Sequence, residues 1–486
     1  MPRLELTEAV NPAMVRRIGR PRSVLDLGCG SGVNGMVARR MGARITGVES
    51  DPALARRARL VLDEVIDVNA ADAAALGRAL GERRFDLVLV PTLLERVPDP
   101  ARLVELASRF VAPEGRLIYA VRNASAWPHR LGVASADLGF GPIGGEPATY
   151  HSREAAIGWA HAAGLEPLEL TLNPLLVKSL RAVLDDETFA SSKQGEPEPS
   201  GFRDWSLYEL YLDAVLPFEE KAAGIAPGWL AYQHVVVARR KPAPGPLSLT
   251  VGMLTMDEEQ SIARMIDAIR KFAPDAKILC VDSSVKDQTP VIAERLGARV
   301  LRQLPPRGHG PAMELLMYEG AAESEALIYL DCDFTYPAEN IPKIRRILEQ
   351  GADVVNAARI RRRPAAMPLA NYVANKTFVL CARALNGVGV ADLHSGMRGY
   401  RAGVIRSFAF DGSGDALPID TLLWPARSGH RVVEIPIEYQ ERVGASKLRK
   451  VAGTVWTFIR LARTLEVGRR GEGCYESWPS AEGPAK

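Results

Sequence analysis

Asp331 and Asp333 stand one residue apart where the apolar run of "IYLDCDFTYP" ends. A strand that finishes in D-x-D, with a bend after it, aims two hard oxygen ligands at one point. That donor set suits Mg²⁺ or Mn²⁺, which also takes oxygens from a diphosphate. A cation so placed neutralises the charge that collects on a departing diphosphate. D-x-D alone reads more readily as a solvated strand end, so its company decides. Asp282 closes another apolar run in "ILCVDSSVKDQTP", with Asp287 in the turn that follows. "RGHGPAMELL" is a basic glycine loop entering a helix, headed by Arg307, and suits a phosphate. "DLHSGMRGYR" and "ERVGASKLRK" add Ser395, Arg398, Arg442, Ser446 and Lys447, groups that can position an anionic oxygen.

A second constellation lies about 300 residues earlier. "VLDLGCGSG" is an apolar run that breaks into Gly28, Gly30 and Gly32, and a helix is expected from about Val33. Glycines there allow a tight turn and let a ligand approach the backbone, with helix amides facing it. Glu49 closes the next run, "RITGVE", and a carboxylate at that place accepts from both hydroxyls of a ribose. Asp72 follows a third candidate strand, where it could bind an adenine amino group. The spacing is G-x-G-x-G, not the G-x-G-x-x-G of a dinucleotide site.

The elements that must position these residues alternate. "SVLDL", "RITGVE", "DLVLV", "RLIYAV", "EPLELTL" and "HVVVARR" are β-rich runs with helical patterns between them. After "KPAPGP" the alternation restarts with "LSLTVGMLT", "KILCVDS", "ARVLRQ", "ALIYLDC", "DVVNAAR" and "RVVEIPIEY". Such alternation implies mainly parallel sheets covered by helices on both faces. The chain of 486 residues is too long for one core. The expected division is 1–241, with a helical insert or cap over 174–228, a linker at 242–246, a second domain over 247–450, and an amphipathic helix and tail over 451–486.

Composition excludes several classes. A net charge of +3 gives no electrostatic case for a nucleic-acid partner. "MPRLELTEAV" lacks the apolar core of a signal peptide, and no run reaches a membrane span. The five cysteines, Cys29, Cys280, Cys332, Cys381 and Cys474, show no metal-type or paired spacing. They read as reduced thiols, so a cytoplasmic location is expected. In "VAGTVWTFIRLARTLEV", Val451, Val455, Phe458, Ala462 and Leu465 recur at helical spacing between basic residues. Residues 447–470 read equally as a peripheral membrane contact or as a helix packed on the core.

"VLDLGCGSG", "GVESDP", "FDLVLVPTLLERVPDP" and "APEGRLIYAV" together resemble class I S-adenosylmethionine-dependent methyltransferases over residues 20–170. The resemblance implies a Rossmann-like domain in which Asp26, Gly28, Gly30 and Gly32 surround the methionine part of the cofactor. Glu49 would hold the ribose, and Asp72 would lie near the adenine. Arg96 stands where many relatives carry histidine, so no catalytic residue is assigned. Glu95 and His151 are candidates that read more readily as structural.

From about 247 to 450 the chain resembles family-2 inverting glycosyltransferases, most closely the dolichyl-phosphate mannosyltransferase branch. This implies a GT-A fold and a nucleotide-sugar donor. Thr255, Glu258 and Asp282 would bind the nucleoside, and Asp331 and Asp333 the metal. Relatives tend to carry glutamine at the Thr335 position. Asp420, in "LPIDTLLWPARSG", sits where many relatives with sugar acceptors carry a general base. A lipid phosphate needs no such base, because its oxygen is already anionic. The expectation is therefore a bifunctional enzyme with a polyprenyl-phosphate or glycan acceptor. Arg398 and Arg442 would hold the phosphate, with Asp420 secondary. A non-catalytic S-adenosylmethionine module, or transfer to a soluble hydroxyl, remain as alternatives.

Overall fold

The computed structural model describes residues 11–124, 149–174, 231–359, 367–440, 450–464 and 475–477. The chain divides into two compact units, Met1–Lys241 and Pro242–Lys486. The insert expected over 174–228 lies, from 175 onward, outside the described residues.

The first unit is built on seven strands, β1 (Ser23–Leu27), β2 (Arg44–Val48), β3 (Glu64–Ile66), β4 (Phe85–Val90), β5 (Val111–Arg122), β6 (Leu165–Pro174) and β7 (Ala231–Arg240). Their order is β3-β2-β1-β4-β5-β7-β6. β1 to β5 are parallel, and β7 runs antiparallel to both β5 and β6. Strands covered on both faces read as nearly unbroken apolar runs. Accordingly Leu25, Leu27, Val88 and Val90 enter one core cluster while Val24, Leu87 and Leu89 enter another. The chain winds outward from β1 through β2 to β3, then returns to lay β4 on the other side of β1. That reversal opens a crevice beyond the carboxyl ends of β1 and β4, the usual ligand position in such sheets.

The second unit has eight strands, β8 (Leu249–Thr255), β9 (Lys277–Asp282), β10 (Arg299–Arg302), β11 (Ala326–Leu330), β12 (Val354–Ala358), β13 (Met397–Arg401), β14 (Val432–Pro436) and β15 (Tyr475–Ser477). The order is β10-β9-β8-β11-β13-β12-β14-β15. β13 is antiparallel to both its neighbours, β11 and β12. The winding again reverses, here between β8 and β11. Helix α1 (Glu259–Phe272) buries Ile262, Met265, Ile266 and Ile269, one face of a 3.6-residue repeat, against this sheet. The last described segment, expected as a tail, adds β15 to the edge strand β14.

Helix α2 (Lys450–Arg463) reverses the usual polarity. Thr457, Arg460 and Leu461 are buried, whereas Val455, Phe458 and Ile459 are 53, 47 and 39 % exposed. The apolar stripe legible in the sequence thus includes residues that face outward, and a charged residue points in. Among the described residues no helix is long and apolar enough to cross a membrane.

Candidate functional site

Both sets of chemistry-bearing residues lie at the crevices that the topology opens. In the first unit Gly28, Gly30 and Gly32 follow β1 with φ of +67°, +55° and +88°. A side chain is strained in that region of backbone space. Space is tight as well, since a Cβ at Gly32 would stand 2.8 Å from Val61 Cγ2 and one at Gly28 3.2 Å from Leu93 Cβ. The next helix begins at Val33, as expected. Glu49, half-buried just beyond β2, accepts from the Gly30 amide at 2.9 Å and from the amides of Ser50 and Asp51 at 2.8 and 2.9 Å. Its carboxylate is therefore fixed against the glycine turn. Asp26 is buried in β1 directly below.

Asp72 lies beyond β3. It is the exposed N-cap of the helix Ala73–Leu80, with Oδ1 accepting from the amides of Ala74 and Ala75, both at 3.0 Å. Capping accounts for a carboxylate at that position. Glu95 is sealed in. It pairs with Arg122 at 2.7 Å and accepts from Gln233 at 3.0 Å, and burial pushes its carboxyl up.

In the second unit the parallel strands β9, β8 and β11 end at one edge in Asp282, Thr255 and Leu330. Thr255 Oγ1 donates to Asp282 Oδ1 at 2.7 Å, Ser284 donates to both carboxylate oxygens, and Arg302 approaches Oδ2 at 3.4 Å. The half-buried Glu258 starts α1, and its Oε2 accepts from Ser261 at 3.1 Å. Arg307 is exposed on the loop before the helix His309–Glu323.

Asp331 and Asp333 follow β11 at the same edge. Phe334, directly after, has φ of +64°, so the chain does bend there, in a region few non-glycine residues adopt. Asp333 is buried, and its Oδ1 accepts from Thr335 N at 3.1 Å and Thr335 Oγ1 at 2.5 Å. Threonine thus orients one acid of the pair. Asp331 is half-buried against Gly396, where a Cβ would fall 2.2 Å from its Oδ2. That contact brings "DLHSGMRGYR" onto the acidic pair. No group of three or more His, Cys, Asp or Glu side chains suited to a metal occurs among the described residues. Asp331 and Asp333 are the carboxylates that stand directly beyond β11.

Three expected roles are corrected. Arg398 is wholly buried in β13 and donates to Asn356 Oδ1 at 2.7 Å, to Leu393 O at 2.6 Å and to Pro418 O. It ties strand, loop and helix together and is not open to a substrate phosphate. Ser395 is buried too, donating to the carbonyls of Ala357 and Met397 and accepting from Met397 N. Asp420, in helix α3 (Leu417–Arg427), is fully buried and ion-paired with Arg460 of α2. Burial pushes its carboxyl up to about 6 against the pull of that guanidinium. A carboxylate covered in this way is not placed to take a proton from an acceptor. Arg442, Ser446 and Lys447 lie outside the described residues.

Arg359 was missed by sequence reasoning. It follows β12, whose carboxyl end shares the edge of β11 because β13 is antiparallel to both. It pairs with Asp392 at 2.8 Å and lies over the rings of Tyr336 and Tyr439 at 5.6 and 5.4 Å. Tyr336 in turn accepts from Gly396 N at 2.6 Å, so this cation belongs to the neighbourhood of Asp331. The usable signal was a strand running straight into "RIRRR".

Comparison with known proteins agrees with both halves. Residues 4–170 match the family model described as a methyltransferase domain, and residues 250–408 match glycosyl transferase family 2. A dolichyl-phosphate hexose transferase of Haloferax volcanii is 37 % identical over 42 % of this chain and 88 % of its own length. A ubiquinone biosynthesis O-methyltransferase of Pseudomonas entomophila is 32 % identical over 32 % of this chain and 70 % of its own length. The chain belongs to both families. A polyprenol monophosphomannose synthase of Mycolicibacterium smegmatis is 28 % identical over 40 % of the chain and 78 % of its own length, and it too resembles the glycosyltransferase half. The chain is thus an enzyme with a Rossmann-like methyltransferase domain and a GT-A glycosyltransferase domain.

Proposed function

We propose that the glycosyltransferase domain moves a sugar from a nucleotide-sugar to a polyprenyl phosphate, and that the methyltransferase domain uses S-adenosylmethionine. The observation that carries the acceptor reading is the burial of Asp420 under Arg460. A hydroxyl acceptor needs a base, and the carboxylate expected to serve is sealed. A phosphate oxygen is ionised already and needs only cations and donors to position it. Arg359 supplies one such cation, and Arg442 is a second in the same reading. The names of the two glycosyltransferase relatives, which speak of dolichyl phosphate and polyprenol, support the same acceptor class.

Asp331 and Asp333 fit a divalent ion that keeps most of its coordination for the donor diphosphate and water, as Mg²⁺ usually does. Bound there, the ion would offset the leaving group's charge. Thr335 holds Asp333 in place for it. Thr255, Glu258 and Asp282 lie at the adjoining strand ends to receive the nucleoside, with Arg307 on the phosphate side.

The exposed apolar residues Val455, Phe458 and Ile459 suit an acceptor that lives in a lipid surface. We expect transfer to a long polyprenyl phosphate in vesicles, and to a short-chain soluble one, but not to free glycosides. Phe458→Asp should lower the vesicle reaction several-fold and spare the soluble one. Transfer to a glycoside with none to either phosphate would refute the acceptor class. Equal loss of both phosphate reactions in Phe458→Asp would refute the surface contact.

For the cofactor, the positive-φ glycines and the carboxylate held on the Gly30 amide fit a nucleoside with a methionine tail. Glu49→Ala should weaken S-adenosylmethionine binding by about 1.5–3 kcal/mol, the range for hydrogen bonds to a charged group. Calorimetry with the full chain reads this directly, and unchanged affinity would remove Glu49 from the site.

A further inference from the structure

The loop 410–416 of the second unit is gripped from two sides. On one side lies the helix His309–Glu323. Gly310, Glu314 and Tyr318 recur every four residues along it, so they share one face. Tyr318 Oη accepts from Phe410 N at 2.8 Å and donates to Phe408 O at 2.7 Å. Glu314 Oε2 accepts from Gly412 N at 2.9 Å. At Gly310 the two backbones meet directly, since a Cβ there would run into the carbonyl oxygens of Gly412 and Gly414.

On the other side lies α2, whose Trp456, Arg460 and Arg463 again share a face. Arg460 donates to the carbonyls of Asp411, Ser413 and Asp415 at 2.8–3.2 Å, and Arg463 pairs with Asp411 at 2.8 Å. Gly414 has φ of +70°, and a Cβ on it would run into the Trp456 ring. The loop thus touches one helix through bare backbone and the other through a ring and a guanidinium. Contacts this close have no slack, so a shift of α2 is passed on to the helix His309–Glu323.

The far faces of the two helices serve different substrates. β10 is parallel to β9, with Arg302 in register with Asp282. The segment after Arg302 therefore leaves from the edge that carries Asp282 and Thr255, and the helix begins six residues on, just past Arg307. Its first turn belongs to the phosphate side of the donor site. The outward side of α2 carries Val455, Phe458 and Ile459, and Phe458 meets Phe378 with ring centroids 5.5 Å apart at 73°. Phe378 is in the helix Leu369–Asn386, where Leu369, Val373 and Leu380 are also exposed. Two touching helices thus offer apolar side chains to a lipid surface.

We propose that the loop 410–416 couples α2 to the donor site, so that contact with a lipid surface and binding of the nucleotide-sugar strengthen each other. This rests on the donor and lipid-surface readings above. A surface that immobilises α2 immobilises the loop through Trp456 and Arg460. The loop then holds the first turn of the helix His309–Glu323 in place before the donor arrives, and donor binding bears less of the ordering cost. Such linkage is reciprocal, so the donor must tighten the surface contact by the same factor. Trp456 is a positioning residue in this scheme, since it touches the loop and not a substrate. The donor is then held most tightly where a lipid-borne acceptor lies.

Calorimetry on the full chain tests this, with UDP-glucose and GDP-mannose as donor probes in Mg²⁺. Each is titrated with and without vesicles of phosphatidylcholine and phosphatidylglycerol, and flotation reads the vesicle contact. The donor that binds should bind about 5-fold or more tightly on vesicles. Trp456→Ala should still float with vesicles, through the outward side of α2, yet lose that gain. In wild type, vesicles should also slow amide exchange in the loop 410–416 and in the first turn of the helix His309–Glu323. That reading holds even where Trp456→Ala fails to fold. Equal donor affinity on and off vesicles that do bind overturns the coupling alone. A gain retained in Trp456→Ala, or exchange unchanged in both segments, overturns the loop as its route. No vesicle contact overturns the surface reading, and no binding of either donor overturns the donor reading, with the coupling lost in both cases.

Discussion

Asp331→Ala and Asp333→Ala should each lose on the order of 10²–10³-fold in sugar transfer, the usual cost of removing one fixed electrostatic stabiliser of a departing anion. The geometry says why neither acid can replace the other. Asp331 is wedged against Gly396, and Asp333 is turned by two bonds from Thr335. Their bearings are set separately, on either side of Cys332, and Phe334 completes the bend behind them. Thr335→Val should therefore cause a smaller loss, because it frees Asp333 without removing its charge. Excess chelator should abolish transfer by wild type. Each variant should keep wild-type affinity for S-adenosylmethionine, because that site lies in the other unit. Full sugar transfer in chelator, or in either alanine variant, would remove the metal from the mechanism.

What was legible in the sequence follows a physical division. Backbone demands leave direct marks, as in the positive-φ glycines after β1 and the acids after β9 and β11. Local chemistry forces residue type at those points, and a strand end is visible in an apolar run that stops. Burial of charge leaves no such mark. Arg398 looks like a phosphate ligand because its type and its basic neighbours suit one, yet its donors are used by Asn356, Leu393 and Pro418. Only the fold brings those acceptors together. β13 escaped notice for the same reason. "MRGYR" shows no apolar alternation, although both of its arginines are wholly buried, Arg401 on Leu348 O and Arg398 as above. In α2 apolar residues recur at helical spacing, but periodicity does not say which face turns inward. There the buried face is the one carrying Thr457 and Arg460.

Arg460→Leu should destabilise the glycosyltransferase domain by about 3–5 kcal/mol, the cost of stripping one partner from a buried ion pair. The guanidinium supplies more than a charge for Asp420. It also donates to the carbonyls of Asp411, Ser413 and Asp415, so it closes the loop ahead of α3 onto α2. Leucine leaves those carbonyls and the carboxylate unmatched. Asp420 Oδ1 is buried without a hydrogen-bond partner even in wild type, which is why burial outweighs the pairing in its titration. The sign of the pH effect follows. Asp420 titrates near 6 in the folded chain, above the value of about 3.9 for an exposed aspartate. The folded state then holds a proton that the unfolded state has already released. The stabilisation from this group is fullest below about pH 4 and is lost as pH rises through 6. Asp420→Asn should remove that dependence, so its urea midpoint relative to wild type should rise between pH 4 and pH 7. Arg460→Leu combined with Asp420→Leu should recover part of the stability lost in Arg460→Leu alone, because no charge is then left unmatched. A midpoint for Arg460→Leu equal to wild type, or a pH dependence of the opposite sign, would show that the pair is not the buried clasp between α2 and α3.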